Sequence, residues 1–163
     1  MAISKDKKAE ILVKLQKITK ESKSMAFMNF HGISVADVTA VRRKLRENGV
    51  GYFVAKKSLL RKAMTEAGYT GTMPDLGGEL GVAYSTDLVA PAREVYGFEK
   101  KLEKGAKLLG GVFEGVYKSQ SEMVAIASIP SMLALRGMFA NIINSPIQRF
   151  VIGLDQIAKK KTA

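Results

Sequence analysis

Met25-Ala26-Phe27-Met28-Asn29-Phe30, and after it the run Val50-Gly51-Tyr52-Phe53-Val54-Ala55, decide how this chain folds. The first run is short, apolar and aromatic-rich and leads into His31-Gly32, which reads as a strand buried on both faces. The second run reads as another strand. Between them Ser34, with Asp37 three residues on, resembles a capping box, and Val35, Val38, Val41 and Leu45 fall on one side of the helix it would start. Gly49 stands where that helix should end. Strand, helix and strand in this order predict a right-handed crossover between parallel strands, and hence an α/β fold.

Working outward, Ser4 can cap a first helix ending near Glu21, with Ile11, Leu15 and Ile18 on one stripe and Lys7, Lys14 and Lys17 off it. Beyond Ala55, Ser58 can cap a helix with Leu59, Leu60, Ala63, Met64 and Ala67 inward, stopped by Gly68. A glycine-rich passage then leads into Leu80 to Ser85, a further strand. Asp87 can cap the next helix, through Pro91, Val95, Phe98 and Leu102. Lys107 to Val112 and Gly115-Val116-Tyr117 read as sheet, and Ser121 to Ala127 as a short helix.

From Pro130 onward no strand signal remains. Met132, Leu133, Leu135, Met138, Phe139, Ile142 and Ile143 form one apolar block at helical spacing. Ile147, Phe150, Val151, Leu154, Ile157 and Ala158 form a second, and Pro146 between them suits a first turn or a kink. As one helix, residues 132 to 158 would span about 40 Å. Periodicity alone leaves open whether it folds back onto the core or protrudes. The expected architecture is a mixed sheet with helices packed on it in residues 1–128, then a long, protruding, amphipathic C-terminal helix in 129–163.

Charge divides the chain in another way. Of the formal +11 over 163 residues, residues 1 to 70 carry +9, 71 to 130 carry −2 and 131 to 163 carry +4. A charge serving solubility would be spread evenly, so the excess in the first 70 residues points to a polyanion bound there. The chain has no Cys and one His. That removes disulfides, thiolate zinc sites, cysteine nucleophiles and histidine-based metal clusters, and with no signal peptide it reads as cytoplasmic.

Catalytic chemistry finds no foothold, and no cofactor or metal is expected. Leu76-Gly77-Gly78-Glu79-Leu80-Gly81 lacks the lysine of a phosphate-cradling loop and precedes a strand, so its glycines read as turn residues. His31 has no nucleophile or orienting carboxylate at a telling spacing. Glu99 and Glu103 share a helix face, but Lys100 and Lys104 interleave with them, as on any solvated helix.

The nucleic-acid signal is stronger. Arg42, Arg43, Lys44 and Arg46 crowd the exposed side of one helix, and guanidinium forks suit phosphate oxygens. Lys56, Lys57 and Ser58 stand at the start of the next helix, followed by Arg61 and Lys62, where amides and cations together favour phosphate. If the two strands are parallel and adjacent, His31 and Gly32 lie beside Lys56, and three basic elements meet at one edge. Lys7 and Lys8 add charge from the first helix. No tandem aromatic motif for reading single strands is present, which favours recognition of folded RNA by shape and backbone.

Three segments carry a family resemblance: Asn29-Phe30-His31-Gly32-Ile33-Ser34-Val35-Ala36-Asp37, Val41-Arg42-Arg43-Lys44-Leu45-Arg46-Glu47-Asn48-Gly49-Val50, and Val54-Ala55-Lys56-Lys57-Ser58-Leu59-Leu60-Arg61-Lys62-Ala63. The chain resembles the bacterial large-subunit ribosomal protein ten family, the stalk-base proteins. The likeness continues through Gly81 to Ser85, Gly110 to Gly115, Ile129-Pro130-Ser131 and the terminal helix.

The resemblance implies a structural, non-enzymatic protein. Its α/β domain would hold the large-subunit rRNA at the GTPase-associated centre, beside the neighbouring stalk-base protein. Its terminal helix would carry dimers of the acidic stalk protein, and so recruit translation GTPases indirectly. His31-Gly32 stand where the family tends to have Arg-Gly, Arg42 and Arg43 match its basic helix, and Lys56-Lys57-Ser58 match a Lys/Arg-Asn-Thr-type turn. Two departures change the contact chemistry: His31 lacks a permanent charge, and Lys57 puts a cation in place of an amide. Two apolar blocks suggest two docked dimers, anchored on Leu135, Met138, Phe139 and Ile142, and on Ile147, Phe150, Val151, Leu154 and Ile157.

Two other classes fit less well. A peripheral membrane protein would need a Lys/Arg-rich polar face on the terminal helix, whereas Lys159 to Lys161 only trail its end. No membrane is expected as a partner. An RNA-processing enzyme would need a site that the sequence does not display.

Overall fold

The computed structural model describes residues 5–101 and 105–161. The expected cap at Ser4 and the positions Leu102, Glu103 and Lys104 lie outside the described residues. The elements run α1 (Lys5–Glu21), β1 (Ser24–Asn29), α2 (Val35–Glu47), β2 (Gly51–Val54), α3 (Lys57–Ala67), β3 (Leu80–Ser85), α4 (Ala90–Lys101), β4 (Lys107–Phe113), β5 (Val116–Lys118), α5 (Gln120–Ala127) and α6 (Met132–Lys161). The chain divides into two compact units between Ile129 and Pro130.

The first unit is an α/β domain built on a five-stranded sheet of order β2-β3-β1-β4-β5. β1 is the central strand, and every residue from Ser24 to Met28 is buried. Alternation sends its side chains into two cores. Ala26 and Met28 join Val41 and Leu45 of α2, Val95 and Phe98 of α4, and Met123 and Ala127 of α5. Met25 and Phe27 join Leu15 of α1 and Leu60, Ala63 and Met64 of α3. Helices thus cover both faces, which is why β1 reads as an unbroken apolar run.

Strand direction differs from the expectation. β1 pairs antiparallel with β3 and with β4, β3 pairs antiparallel with β2, and β4 with β5. Among the described residues parallel pairing enters only as an isolated bridge between Thr70 and Val116. β1 and β2 do point the same way, but β3 is inserted between them, so the crossover through α2 skips one position. The local pattern of β1, α2 and β2 is identical whether or not a later strand fills the gap.

Details of four helices also differ. Ser34 caps α2, its hydroxyl accepting from the Asp37 amide, but Val35 is 83% exposed and only Val41 and Leu45 of the expected stripe are buried. Lys56, not Ser58, occupies the N-cap of α3, with no side-chain hydrogen bond, and Ala67 is exposed. Asp87 forms a turn, its carboxylate accepting from the Val89 amide, ahead of α4. Ser119, which periodicity did not single out, closes a full capping box with Glu122 at the start of α5.

The second unit is dominated by α6, a 30-residue helix with Pro146 inside it and no buried residue. No single helix among the described residues is long and apolar enough to cross a membrane.

Candidate nucleic-acid interface

The edge strand β2 organises the basic side chains. α2 ends at its N-terminal end, where Asn48 caps the helix and Gly49, at φ +69°, turns the chain into Val50 and Gly51. α3 starts at its C-terminal end, directly after Val54-Ala55-Lys56. Because α2 packs against one core and α3 against the other, the two basic clusters lie on opposite faces of the sheet. What they share is β2.

On the α2 side, Arg42, Arg43, Lys44 and Arg46 are all exposed. The Arg42 guanidinium lies over the Tyr52 ring, 5.5 Å from its centroid. Arg42 and Arg46 line one hollow of about 310 Å³ with Gly49, Gly51, Tyr52 and Tyr84. The other two cations are engaged along α2 and on α4: Arg43 Nε is 3.3 Å from Glu47 Oε1, and Lys44 Nζ lies over the Phe98 ring. Exposed pairs of this kind are weak and exchange readily for a phosphate. Burial pushes the Tyr52 phenol up to about 12, with Arg42 partly offsetting it. Tyr52 is therefore a neutral platform for Arg42, one that sequence reasoning passed over; the signal was an aromatic on β2 beside an arginine-rich helix.

On the α3 side, Lys56, Arg61 and Lys62 are exposed and Lys57 is half-buried. Among the described residues none of the four is in an ion pair. Lys56, Lys57, Ser58 and Arg61 line an open cleft of about 820 Å³ with Phe30, Val54, Ala55 and the segment from Asp75 to Leu80. This segment, read from sequence only as turn glycines, is the opposite wall. Leu76 and Leu80 anchor it in the second core, and that pair of leucines four apart, flanking Gly77-Gly78-Glu79, was the available clue.

The corner holding His31 and Gly32 is altered by β3. The Phe30 amide donates to the Glu79 carbonyl, and His31 Nδ1 lies 3.9 Å from Glu79 Oε1. The ends of β1 and β2 thus flank the start of β3, and Phe30 reaches the cleft across it. Gly32 has φ +80°, a conformation that disfavours a side chain. Lys7 and Lys8 are exposed on α1. Among the described residues no group of acidic, His or Cys side chains could hold a metal ion.

On α6 the large apolar side chains face water: Leu135, Met138, Phe139, Ile142, Ile147, Phe150, Val151, Leu154 and Ile157 are between 38% and 69% exposed. Met132, Leu133, Ile143 and Ile152 are exposed as well, Leu133 at 80% the most.

A family model described as ribosomal protein L10 matches residues 3–100. Large ribosomal subunit protein uL10 of Shouchella clausii is 34% identical over 157 residues, covering 96% of this chain and 94% of that protein. The protein of the same name from Staphylococcus haemolyticus is 35% identical over 161 residues, 98% of this chain and 96% of its own. That from Staphylococcus carnosus is 34% identical over 155 residues, 94% of this chain and 93% of its own. With the basic edge, the three-layer domain and the long terminal helix in place, a match of this extent makes the chain a member of the ribosomal protein L10 family.

Proposed function

We propose that this structural, non-enzymatic constituent of the large subunit of the cytoplasmic ribosome forms the base of the ribosomal stalk. In this reading residues 1–128 grip large-subunit rRNA at the GTPase-associated centre, next to the neighbouring stalk-base protein. Residues 129–163 anchor two dimers of the acidic stalk protein, which bring translation GTPases to the ribosome.

The observation that carries the reading is α6: thirty helical residues, none buried, with aliphatic and aromatic side chains exposed along the length. A helix of this kind is stable in water only with a partner over its apolar side. Each Leu, Ile or Phe moved from water into a groove contributes roughly 1.5–3 kcal/mol, so the four anchors of the first block and the five of the second suffice for a stable complex. The RNA half rests on the cations flanking β2, of which Lys56, Lys57, Arg61 and Lys62 are in no ion pair among the described residues.

The test is co-expression of a tagged chain with its ribosomal neighbours, reading both the RNA and the small acidic proteins that co-purify. Reversing Arg42, Arg43 and Arg46 to Glu is expected to remove the RNA and keep the acidic proteins. Deleting residues 131–163 is expected to do the opposite. Acidic proteins retained by the truncated chain would overturn the docking assignment, and native mass of the complex showing three dimers would overturn the two-block segmentation.

A further inference from the structure

The cleft beside α3 is larger and more apolar than phosphate binding requires. Its volume of about 820 Å³ falls in the range of pockets that enclose a small organic ligand, roughly 300–1,000 Å³. Leu76, Leu80, Val54 and Phe30 supply the apolar lining, while Lys56, Lys57 and Arg61 supply three cations on one wall. Two carboxylates, Asp75 and Glu79, stand on the other. Asp75 is in no ion pair among the described residues, and Glu79 has only the long contact to His31. A purely electrostatic phosphate site would exclude both carboxylates. Acceptors opposite cations, over an apolar floor, instead match a ligand that is anionic at one end, flat and apolar in the middle, and edged with N–H donors.

A nucleotide unit of RNA has that composition. We propose that the cleft takes a single unstacked, amino-bearing base of the bound RNA. The flanking phosphates lie on Lys56, Lys57 and Arg61, the base enters against Leu76, Leu80 and Val54, and its exocyclic amine donates to Asp75 or Glu79. The start of α3 supports this, because Lys56 at the N-cap offers no side-chain acceptor, and while the Leu59 and Leu60 amides donate to the Lys56 carbonyl, those of Lys57 and Ser58 are left to another acceptor. Adenine, cytosine and guanine carry the amine and uracil does not, so the cleft should discriminate against uracil. The inference rests on the RNA-binding reading above, and concerns how that binding selects a position in the RNA.

Hairpin RNAs of identical stem, without a bulge or with one bulged A, C, G, U or abasic nucleotide, test it against the full-length chain by fluorescence anisotropy at one salt concentration. Bulged A, C or G is expected to bind about tenfold or more tighter than the abasic and unbulged hairpins, with U weaker than the other bases. Equal binding to every hairpin overturns the inference and leaves RNA binding standing, whereas no binding to any overturns the RNA reading itself. Uracil equal to the amino-bearing bases also overturns the inference. Gly77 lines the cleft, has no positive φ and has open space at its Cβ, so Gly77→Phe fills the cleft without backbone strain. It should abolish the bulge preference while leaving unbulged affinity intact. Asp75→Asn with Glu79→Gln, which changes no volume, should relax the selection against U. A Gly77→Phe chain that keeps its RNA profile but loses an acidic protein partner would make the cleft a protein site and overturn the inference.

Discussion

At Tyr52 one atom is out of place by the usual rule for buried polar groups: its hydroxyl is shielded from solvent and has no hydrogen-bond partner. The ring earns its position by other means, covering Gly81 of β3, where a Cβ would collide with the phenol, and carrying Arg42 on its face. Tyr84 lies over Gly51 in the reciprocal way, directly opposite it in the ladder. The glycines of β2 and β3 are therefore there for close approach of an aromatic ring. Tyr52→Phe keeps the ring and removes only the stranded hydroxyl, so urea unfolding should show a gain of about 1 kcal/mol. The pH dependence has a definite sign. Burial raises the folded phenol to about 12 from 10, so the native state holds its proton where the unfolded chain has lost it. The stability that this linkage contributes is complete below pH 10 and is lost as pH rises toward 12. The advantage of Tyr52→Phe over the parent should accordingly widen between pH 8 and pH 11. An equal advantage at both pH values would show that the phenol titrates normally.

Helix starts illustrate what can be read locally at the scale of an element. Ser34 and Ser58 each precede an apolar periodic run by one position, and sequence alone treats them alike. Only Ser34 accepts from an amide three residues on; Ser58 is already inside α3, one residue past Lys57. Ser34→Ala should cost about 1 kcal/mol in thermal or urea unfolding, and Ser58→Ala close to nothing. A comparable loss at Ser58 would mean that its hydroxyl caps α3 after all. What distinguishes them is not propensity but where β2 releases the chain, a tertiary fact. The same division holds for the sheet. The burial of β1 on both faces was legible because Met25 to Met28 is apolar at every position. The insertion of β3 between β1 and β2 was not, since strand order depends on residues 80–85 pairing with both, and no pattern inside any one strand encodes its neighbour. For the candidate site, Arg42, Arg46, Lys56, Lys57 and Arg61 were visible as charge clusters, while the wall from Asp75 to Leu80 became visible only once Leu76 and Leu80 were seen buried.

The two halves of the whole molecule hold different physical currencies, and salt separates them. Residues 1 to 70 carry +9 of the formal +11, with eight of their fifteen cations on the two helices flanking one edge strand or at their ends, whereas α6 exposes Leu, Ile, Phe, Met and Val with cations confined to Arg136, Arg149 and the last turn. Binding of RNA by about six phosphate contacts releases a similar number of counterions. The affinity should then fall by roughly 10³ between 50 and 200 mM salt. In the proposed reading, docking of the acidic stalk protein on α6 would depend on removal of apolar surface from water, which added salt does not oppose. Its screened component is limited to a +4 tail. Titrating the full chain with each partner over the same salt range should therefore give a steep line for RNA and a nearly flat one for the stalk protein. A steep fall in both would assign α6 binding to Lys159, Lys160 and Lys161 instead of its apolar blocks. A flat RNA line would mean that Arg42, Arg46, Lys56 and Arg61 contribute few phosphate contacts, and that the cleft, not the charge, holds the RNA.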